Sequence, residues 1–294
     1  MNGQRLRNAD KSGTNQNGQM ETSPIQYEEM DTLLNDIFTR YGYDFSEYSK
    51  ASLQRRIQRL FTVDKFPSFA EFRHRLQHDP QYFRHFVEEV TVNVTEMLRD
   101  PSFYRALRTT ILPVLATYPF IRIWHAGCST GEEVYSMAIL LKEAGLLHKS
   151  LLYGTDINPM VIEKARKGIF PVNQMQKYSE NYIQSGGLKD FSSYYTANYH
   201  LAKFDSSLTQ KMIFSTHNLV SDFSFNEFQL ILCRNTLIYF ERELQTKVFR
   251  LFDYSLENLG FLALGSKESI RFSTIADRYR QVGREKIWRK VNDP

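Results

Sequence analysis

The spacing of apolar residues divides the chain into a helical first part and an alternating strand–helix remainder. From Tyr27 to about Leu115, apolar side chains recur every three or four residues, the period of helices with one buried face. Helices are predicted to end before Gly42 and to cover residues 53–60, 68–77, 80–90 and, after Pro101, 102–112. Residues 1–25 are polar and aperiodic, so we expect a disordered tail followed by a helical domain at 26–90 and a connector at 91–115.

Beyond residue 116, short apolar runs alternate with helical segments, which predicts an α/β domain over residues 116–294 with a mostly parallel sheet. Strands are predicted at 121–125, 150–158, 228–235, 261–264 and 287–291, the last at an edge of the sheet. Helices are predicted through Lys142 and at 159–167 and 241–258. Residues 168–215 break this alternation, with short strands at 191–199 and 212–214. They predict a small antiparallel insertion at about 170–212.

The segment 121–138 reads as strand, tight turn and helix, and it carries the first candidate chemistry. Small residues at the turn let a ligand lie against the backbone, and the helix start offers unpaired N–H groups. Glu132 and Glu133 would repel a phosphate there, so the turn favours a ligand with hydroxyls or positive charge, such as a sulfonium nucleoside. The alternative is an ordinary turn with a charge-capped helix, since acids stabilise helix starts anyway.

A second acid supports the nucleoside hypothesis. Asp156 ends the next predicted strand, 25 residues beyond Gly131, where nucleotide-binding α/β folds place a ribose-binding acid. The polar connector between the two domains is also a common place for a binding pocket. Arg99 in that connector has a plainer alternative, a surface ion pair with Asp100.

Composition narrows the functional class. Hydrophobic residues make up 42% and charged residues 24%, as in ordinary globular proteins. We expect no membrane insertion, no metal site and a cytoplasmic, monomeric protein whose Cys128 and Cys233 stay reduced. The net charge of +4 is too small to favour nucleic acid.

The basic charge is concentrated in residues 53–84, which hold seven Lys/Arg against three Asp/Glu. Leu53, Ile57 and Leu60 form an inner stripe there. Arg55, Arg56 and Arg59 are therefore predicted to face outward, either as a solvated surface or as a docking face for an acidic protein helix.

Taken in order, these motifs resemble the chemoreceptor glutamate methyltransferases, the CheR type, from about residue 27 to residue 291. The resemblance is carried by NVTEMLRDP (93–101), AGCSTGEE (126–133), GTDIN (154–158), HNL (217–219), CRNTLIYF (233–240) and LGSKES (264–269). It implies a class I, Rossmann-like methyltransferase fold with a seven-stranded sheet. It also implies S-adenosylmethionine as cofactor, S-adenosylhomocysteine as product, and methylation of glutamate carboxylates on chemoreceptor cytoplasmic helices.

The resemblance also assigns residues. Gly127 and Glu133 would hold the methionine part of the cofactor, Asp156 the ribose, and Asn218 and Leu219 the adenine. Further pocket residues would be Asn93, Thr95, Arg99, Arg234 and Asn235, with Arg99 and Tyr239 facing the methyl group and the incoming carboxylate. Arg55, Arg56 and Arg59 would then dock the receptor. Glu132 is interpreted as a helix-start charge.

Two positions depart from the family pattern. Met97 and Leu98 stand where the family has two phenylalanines, and Val134 replaces the usual proline; we expect changed packing rather than lost chemistry. Two other functions stay open. One is a methyltransferase of this fold acting on another signalling protein, and the other is a module that senses S-adenosylmethionine or its product without turnover.

Overall fold

A computed structural model describes residues 25–91 and 94–291. Most of the predicted tail and the candidate site residue Asn93 lie outside this described part. Ile25, which was predicted to belong to the tail, is instead buried, and its N–H donates to Gln58 Oε1 at 2.7 Å. None of the described helices is long and apolar enough to cross a membrane.

The helical domain consists of four helices, α1 (Tyr27–Tyr41), α2 (Lys50–Val63), α3 (Phe69–His78) and α4 (Pro80–Val90). Each helix turns an apolar stripe toward a shared core. Asp79 separates α3 from α4, and its carboxylate accepts from the N–H groups of Gln81 and Tyr82 at 2.9 and 3.1 Å. The proline and the cap therefore fix the start of α4, as the sequence predicted.

The connector leads into a composite helix made of α5 (Pro101–Ala106), a π turn (Leu107–Ile111) and α6 (Leu112–Leu115). Met97 and Leu98 are both fully buried in the core of the α/β domain. The Leu98 N–H donates to Ser136 Oγ at 2.9 Å, and the Met97 carbonyl accepts from Asn181 Nδ2 at 2.9 Å. Burial of both side chains and these two backbone bonds together hold the connector against the α/β domain.

A seven-stranded sheet forms the centre of the α/β domain, in the order β6-β2-β1-β7-β8-β10-β9. The strands are β1 (Ile121–Ala126), β2 (Ser150–Asp156), β6 (Met212–Thr216), β7 (Phe228–Cys233), β8 (Leu256–Leu264), β9 (Tyr279–Gln281) and β10 (Ile287–Lys290). Strand β10 runs antiparallel to β8 and to β9, whereas the β6–β2, β2–β1, β1–β7 and β7–β8 pairs are parallel. The predicted edge position of this last strand was wrong, because β9 pairs with β10 and forms the edge.

Helices α7 (Glu132–Glu143), α8 (Pro159–Lys167) and α11 (Arg242–Ser255) pack on this sheet. The domain also contains α9 (Met175–Gln184), which contacts α5, and α10 (Ser206–Thr209), which contacts α7. Successive side chains of β1 alternate between two apolar clusters, with Ile121 and Ile123 on the α7 side and Trp124 and Ala126 on the α11 side. The carboxyl ends of β1, β2 and β7 therefore lie side by side at one edge of the core.

The antiparallel insertion is present and has three strands, β3 (Ile169–Pro171), β4 (Tyr195–Asn198) and β5 (Leu201–Phe204), in the order β3-β5-β4. Residues 212–214, predicted as one of the short strands in the interrupting segment, instead belong to β6 and pair in parallel with β2. The insertion therefore ends before the main sheet resumes at Met212.

Candidate functional site

A pocket of about 950 Å³, including its mouth, lies between α2, the connector and the carboxyl ends of β1, β2 and β7. It lies where two domains meet, which is a common place for a ligand site. The predicted site residues that line it are Arg56, Thr95, Arg99, Gly127, Glu133, Asp156, Arg234, Asn235 and Tyr239. The structure thus brings residues from both domains and from four separate motifs to one cavity.

The turn after β1 is held by the neighbouring strand. The N–H groups of Gly127 and Cys128 both donate to the Thr155 carbonyl, at 2.8 and 2.9 Å. Gly127 has a φ of +74°, and a Cβ there would lie 2.4 Å from Thr236 Oγ1. Only glycine fits this turn without strain, so the backbone can pass between β2 and the loop after β7.

Asp156 lies at the tip of β2 with its carboxylate aimed back at this turn. Oδ2 accepts from the Ser129 N–H at 2.9 Å and Oδ1 from the Asn158 N–H at 3.0 Å. Burial raises the pKa of Asp156, and the backbone donors oppose that effect. The buried Ser129 hydroxyl, which also lines the pocket, has no hydrogen-bond partner among the described residues. These groups suit a ligand that carries hydroxyls.

Glu133, in the first turn of α7, lies between the side chains of His125 and Arg234. Its Oε1 is 2.9 Å from His125 Nδ1, and its Oε2 is 3.4 Å from Arg234 Nη1. Burial by itself raises the pKa of Glu133, but the histidine and the arginine outweigh it and lower that pKa. Glu133 is therefore an ionised carboxylate at the pocket wall, able to attract a cationic group.

Arg234 ties the connector to the end of β7. Its Nη2 donates to Asp100 Oδ2 at 2.6 Å and to the Arg99 carbonyl at 3.1 Å, and its guanidinium lies 4.0 Å from the centre of the Phe103 ring. Although burial opposes the charged form, the acidic partners raise the pKa of Arg234. Asp100 thus pairs with Arg234, and the alternative of an Arg99–Asp100 pair was wrong. The guanidinium of Arg234 is engaged by protein, so its contact with a cofactor stays a prediction.

A buried carboxylate from a distant part of the chain shapes the loop after β7. Glu268 accepts from the N–H groups of Gly265, Asn235, Leu237 and Ile238, at distances from 2.6 to 3.3 Å. This arrangement holds Asn235 at a positive φ of +61°. Burial raises the pKa of Glu268, and the four donors oppose the change.

Several predicted residues lie elsewhere. Asn218 lines a neighbouring opening that shares only the wall residue Ile157 with the main pocket, and Leu219 packs on the α11-side core. Their assignment to an adenine stays a prediction. Glu132 does begin α7, but it is buried, and its carboxylate accepts from Thr130 Oγ1 at 2.6 Å.

The predicted outward face of α2 was wrong for one of its three arginines. Arg55 and Arg59 are exposed, and Arg59 lies 3.8 Å from Glu89. Arg56 is half-buried and turns into the pocket, where its guanidinium lies 5.5 Å from the centre of the Tyr239 ring.

Three residues with clear roles in the geometry were missed by sequence reasoning. His125 is a polar residue near the carboxyl end of β1, just before the turn, and that position was the available signal for it. Asp100 precedes Pro101 and could be taken for a helix cap or for the partner of Arg99. Glu268 lies within a motif that supported the resemblance but had no role assigned.

Two family models match the chain in succession. The CheR methyltransferase all-alpha domain matches residues 28–91, and the CheR methyltransferase SAM binding domain matches residues 93–287. Among relatives, "Putative methyltransferase Cher3" of Pseudomonas putida is 45% identical over 263 residues, covering 89% of this chain and 96% of that protein.

Two chemotaxis protein methyltransferases are also similar. The Listeria monocytogenes protein is 31% identical, over 78% of this chain and 85% of its own length. The Borreliella burgdorferi protein is 29% identical, over 88% of this chain and 94% of its own length. With both family models matched in order, this chain belongs to the CheR-type, SAM-dependent methyltransferases.

Proposed function

We propose that this protein transfers a methyl group from S-adenosylmethionine to glutamate side-chain carboxylates on chemoreceptor cytoplasmic domains. The observation that carries the proposal is one pocket lined by both acidic and basic side chains. Glu133 in α7 and Asp156 at the tip of β2 are acidic, while Arg99 from the connector and Arg56 from α2 are basic. The acidic groups suit a cationic nucleoside, and the basic groups suit a carboxylate. The names of the Listeria and Borreliella relatives support the link to chemotaxis.

The residues at the strand tips fit the cofactor. The ionised Glu133 matches an α-amino group, while Asp156 and the unpartnered Ser129 hydroxyl match ribose hydroxyls. The bound cofactor supplies an activated methyl group. The reaction replaces its sulfur–methyl bond with an oxygen–methyl bond, and the sulfur keeps the electron pair.

The chain needs no catalytic base for this reaction. A glutamate side chain has a pKa near 4.3 and is already ionised at pH 7, so no proton must be removed. The protein's task is alignment, which can contribute about 7–11 kcal/mol. We assign Arg99 to orienting the carboxylate, because a planar guanidinium can hold one oxygen while the other attacks. Its only described hydrogen bond is a long one to the Val94 carbonyl, at 3.4 Å, so donors remain for the acceptor.

We assign receptor docking to the exposed arginines of α2. Arg55 and Arg59 are exposed on the same helix that contributes Arg56 to the pocket, and the Arg59 side chain is 73% exposed. An acidic receptor helix would be attracted to this face, chiefly at low ionic strength.

The proposal is tested by tritiated-methyl transfer to receptor cytoplasmic domains, with base-labile methanol release to identify esters. A receptor domain that the wild-type chain has labelled should release tritiated methanol when it is treated with base. Stable label would indicate another acceptor atom. Binding of S-adenosylhomocysteine without transfer to any signalling protein would support the sensing alternative.

A charge reversal tests the docking face. Arg55→Glu should weaken transfer to the receptor domain and leave titration of S-adenosylhomocysteine unchanged. Arg284→Glu, an exposed arginine in the turn between β9 and β10, makes the same change in net charge as a matched control. Equal losses in both variants would contradict the docking assignment.

A further inference from the structure

The three arginines of α2 differ in their surroundings. Arg55 and Arg59 are exposed, whereas Arg56 is half-buried and lines the pocket. Arg56 lies three residues after Leu53 and four before Leu60, which are both buried, so it lies at the border of the buried stripe. From this border a long side chain can reach either solvent or the cavity, and here it reaches the cavity.

The direction of Arg56 follows from how α2 is attached to the α/β domain. The Ser49 N–H, at the start of α2, donates to the Tyr239 carbonyl at 2.9 Å, and the Glu241 N–H donates to the Glu47 carbonyl at 2.9 Å. The Tyr48 and Phe240 rings pack edge to face, with centres 4.8 Å apart. These contacts fix the first turns of α2 against the loop that carries Tyr239.

The guanidinium of Arg56 is held loosely by polar groups. Its Nε lies 3.4 Å from Ser52 Oγ, and its Nη1 lies 3.4 Å from the Val90 carbonyl. Both bonds are longer than ordinary N–H···O bonds, and Nη2 has no protein acceptor within the described residues. Arginine has five N–H donors, so most of them remain for a ligand.

The charge of Arg56 has no acidic partner in the part of the chain that the structure describes. Burial is the main cause that lowers the pKa of Arg56, with Arg55 and Arg59 adding to it, yet an arginine stays protonated at neutral pH. Within the described residues its contacts are a hydroxyl, a carbonyl and an aromatic ring, with no ion pair to a carboxylate. A partly desolvated cation of this kind favours an anionic ligand.

We propose that Arg56 binds the acceptor carboxylate together with Arg99, as part of the acceptor site rather than of the docking face. This inference rests on the proposed function. Two partial contacts, one from α2 and one from the connector, hold a carboxylate in place without drawing both oxygens into one strong pair, so one oxygen stays free to attack. The Tyr239 ring packs on the guanidinium and limits its rotation. The helical domain thereby contributes a substrate-binding side chain to the pocket.

The test compares Arg56→Gln and Arg56→Lys with Arg55→Gln, a matched loss of charge on the exposed face of the same helix. Each variant is assayed for methyl transfer to a receptor cytoplasmic domain and to a short glutamate-containing peptide from it. The peptide is too short to use the docking face. S-adenosylhomocysteine titration and thermal unfolding show whether the variants fold and keep the cofactor site.

We expect Arg56→Gln to lower kcat/KM about 10–100-fold for both substrates, the range for losing a hydrogen bond to a charged group. Binding of S-adenosylhomocysteine should stay within about 2-fold. Arg56→Lys should recover part of the loss, because lysine keeps the charge but not the planar fork. Arg55→Gln should raise the KM for the receptor domain and leave methylation of the peptide unchanged.

Each result decides the question. If the wild-type chain methylates receptor glutamates while Arg56→Gln behaves like Arg55→Gln on the peptide, the acceptor-site role is wrong and the proposed function stands. If Arg56→Gln loses affinity for S-adenosylhomocysteine as much as activity, Arg56 belongs to the cofactor site instead. A wild-type chain that methylates no receptor domain overturns both proposals.

Discussion

Replacing Arg234 by methionine tests whether the buried charge cluster stabilises the fold. The side chain of Arg234 is 3% exposed and holds Asp100 and Glu133 at 2.6 and 3.4 Å. Methionine keeps much of the length and apolar packing but removes the positive charge. The two acids and the Arg99 carbonyl then lose a common partner.

The expected loss follows from the exposure of the two acids. Removing one partner of a buried ion pair costs about 3–5 kcal/mol, whereas exposed pairs are worth about 0–1 kcal/mol. The Asp100 side chain is 43% exposed and can return to water, while that of Glu133 is 16% exposed and keeps only His125. We therefore expect Arg234→Met to lower the free energy of unfolding by about 3 kcal/mol, the low end of the buried range. Asp100→Asn should lower it by about 1 kcal/mol or less.

The effect should also depend on pH. The pKa of Glu133 is lowered in the folded protein, so its stabilising contribution is present above its unfolded pKa and is lost as pH falls through the folded value. Without Arg234, burial has less opposition, the folded pKa rises, and this contribution disappears. The difference in the free energy of unfolding between wild type and Arg234→Met should therefore be largest near pH 7 and should decrease below about pH 4.

Urea unfolding of both variants, followed by circular dichroism and tryptophan fluorescence, measures these differences. Coincident transitions by the two probes would justify treating the unfolding as one step. The reasoning is refuted if Arg234→Met lies within about 0.5 kcal/mol of wild type at pH 7, the usual range of a surface substitution. A gap that widens in acid would refute the role given to Glu133.

Three other substitutions test separate walls of the pocket. Gly127→Ala should lower the free energy of unfolding by about 1–3 kcal/mol, because the new Cβ would clash with Thr236 and the backbone φ is positive. An unchanged midpoint of thermal unfolding would count against the tight turn. Asp156→Asn should weaken S-adenosylhomocysteine binding by about 10–100-fold in calorimetry, and a change below about 3-fold would remove Asp156 from the cofactor site. Glu268→Gln turns an amide N–H₂ toward backbone N–H donors. The substitution should lower the free energy of unfolding in urea by about 1–3 kcal/mol and slow methyl transfer. Full activity would show that the position of Asn235 does not depend on the Glu268 carboxylate.

Much of the fold could be predicted because its signals are local. The central strands β1, β2 and β7 are short apolar runs that end in small or polar residues, and their predicted bounds differ from the observed ones by two residues at most. The start of α4 follows from Asp79 and Pro80 alone. The edge of the sheet was not predictable in this way, because the Tyr-Arg-Gln segment of β9 has no strand signal of its own and depends on pairing with β10.

The site could be predicted only in part, for the same reason. Gly127, Glu133 and Asp156 follow strands of one sheet, so their convergence follows from the topology. The orientation of Arg56 depends on the bond between Ser49 and Tyr239, which lie 190 residues apart in the sequence. Helical periodicity places Arg56 at the border of the buried stripe of α2, but it does not predict whether the side chain points to solvent or into the pocket.

The position of Glu268 in the chain bears on protein synthesis. The turn at Gly127 and the tip at Asp156 leave the ribosome more than 100 residues before this glutamate does. Three N–H groups of the Asn235 loop and that of Gly265 nevertheless need its carboxylate as their acceptor. Domains fold as units during translation, the first-made ones earlier. The helical domain can therefore fold early, whereas the pocket becomes complete only after Glu268 has been made.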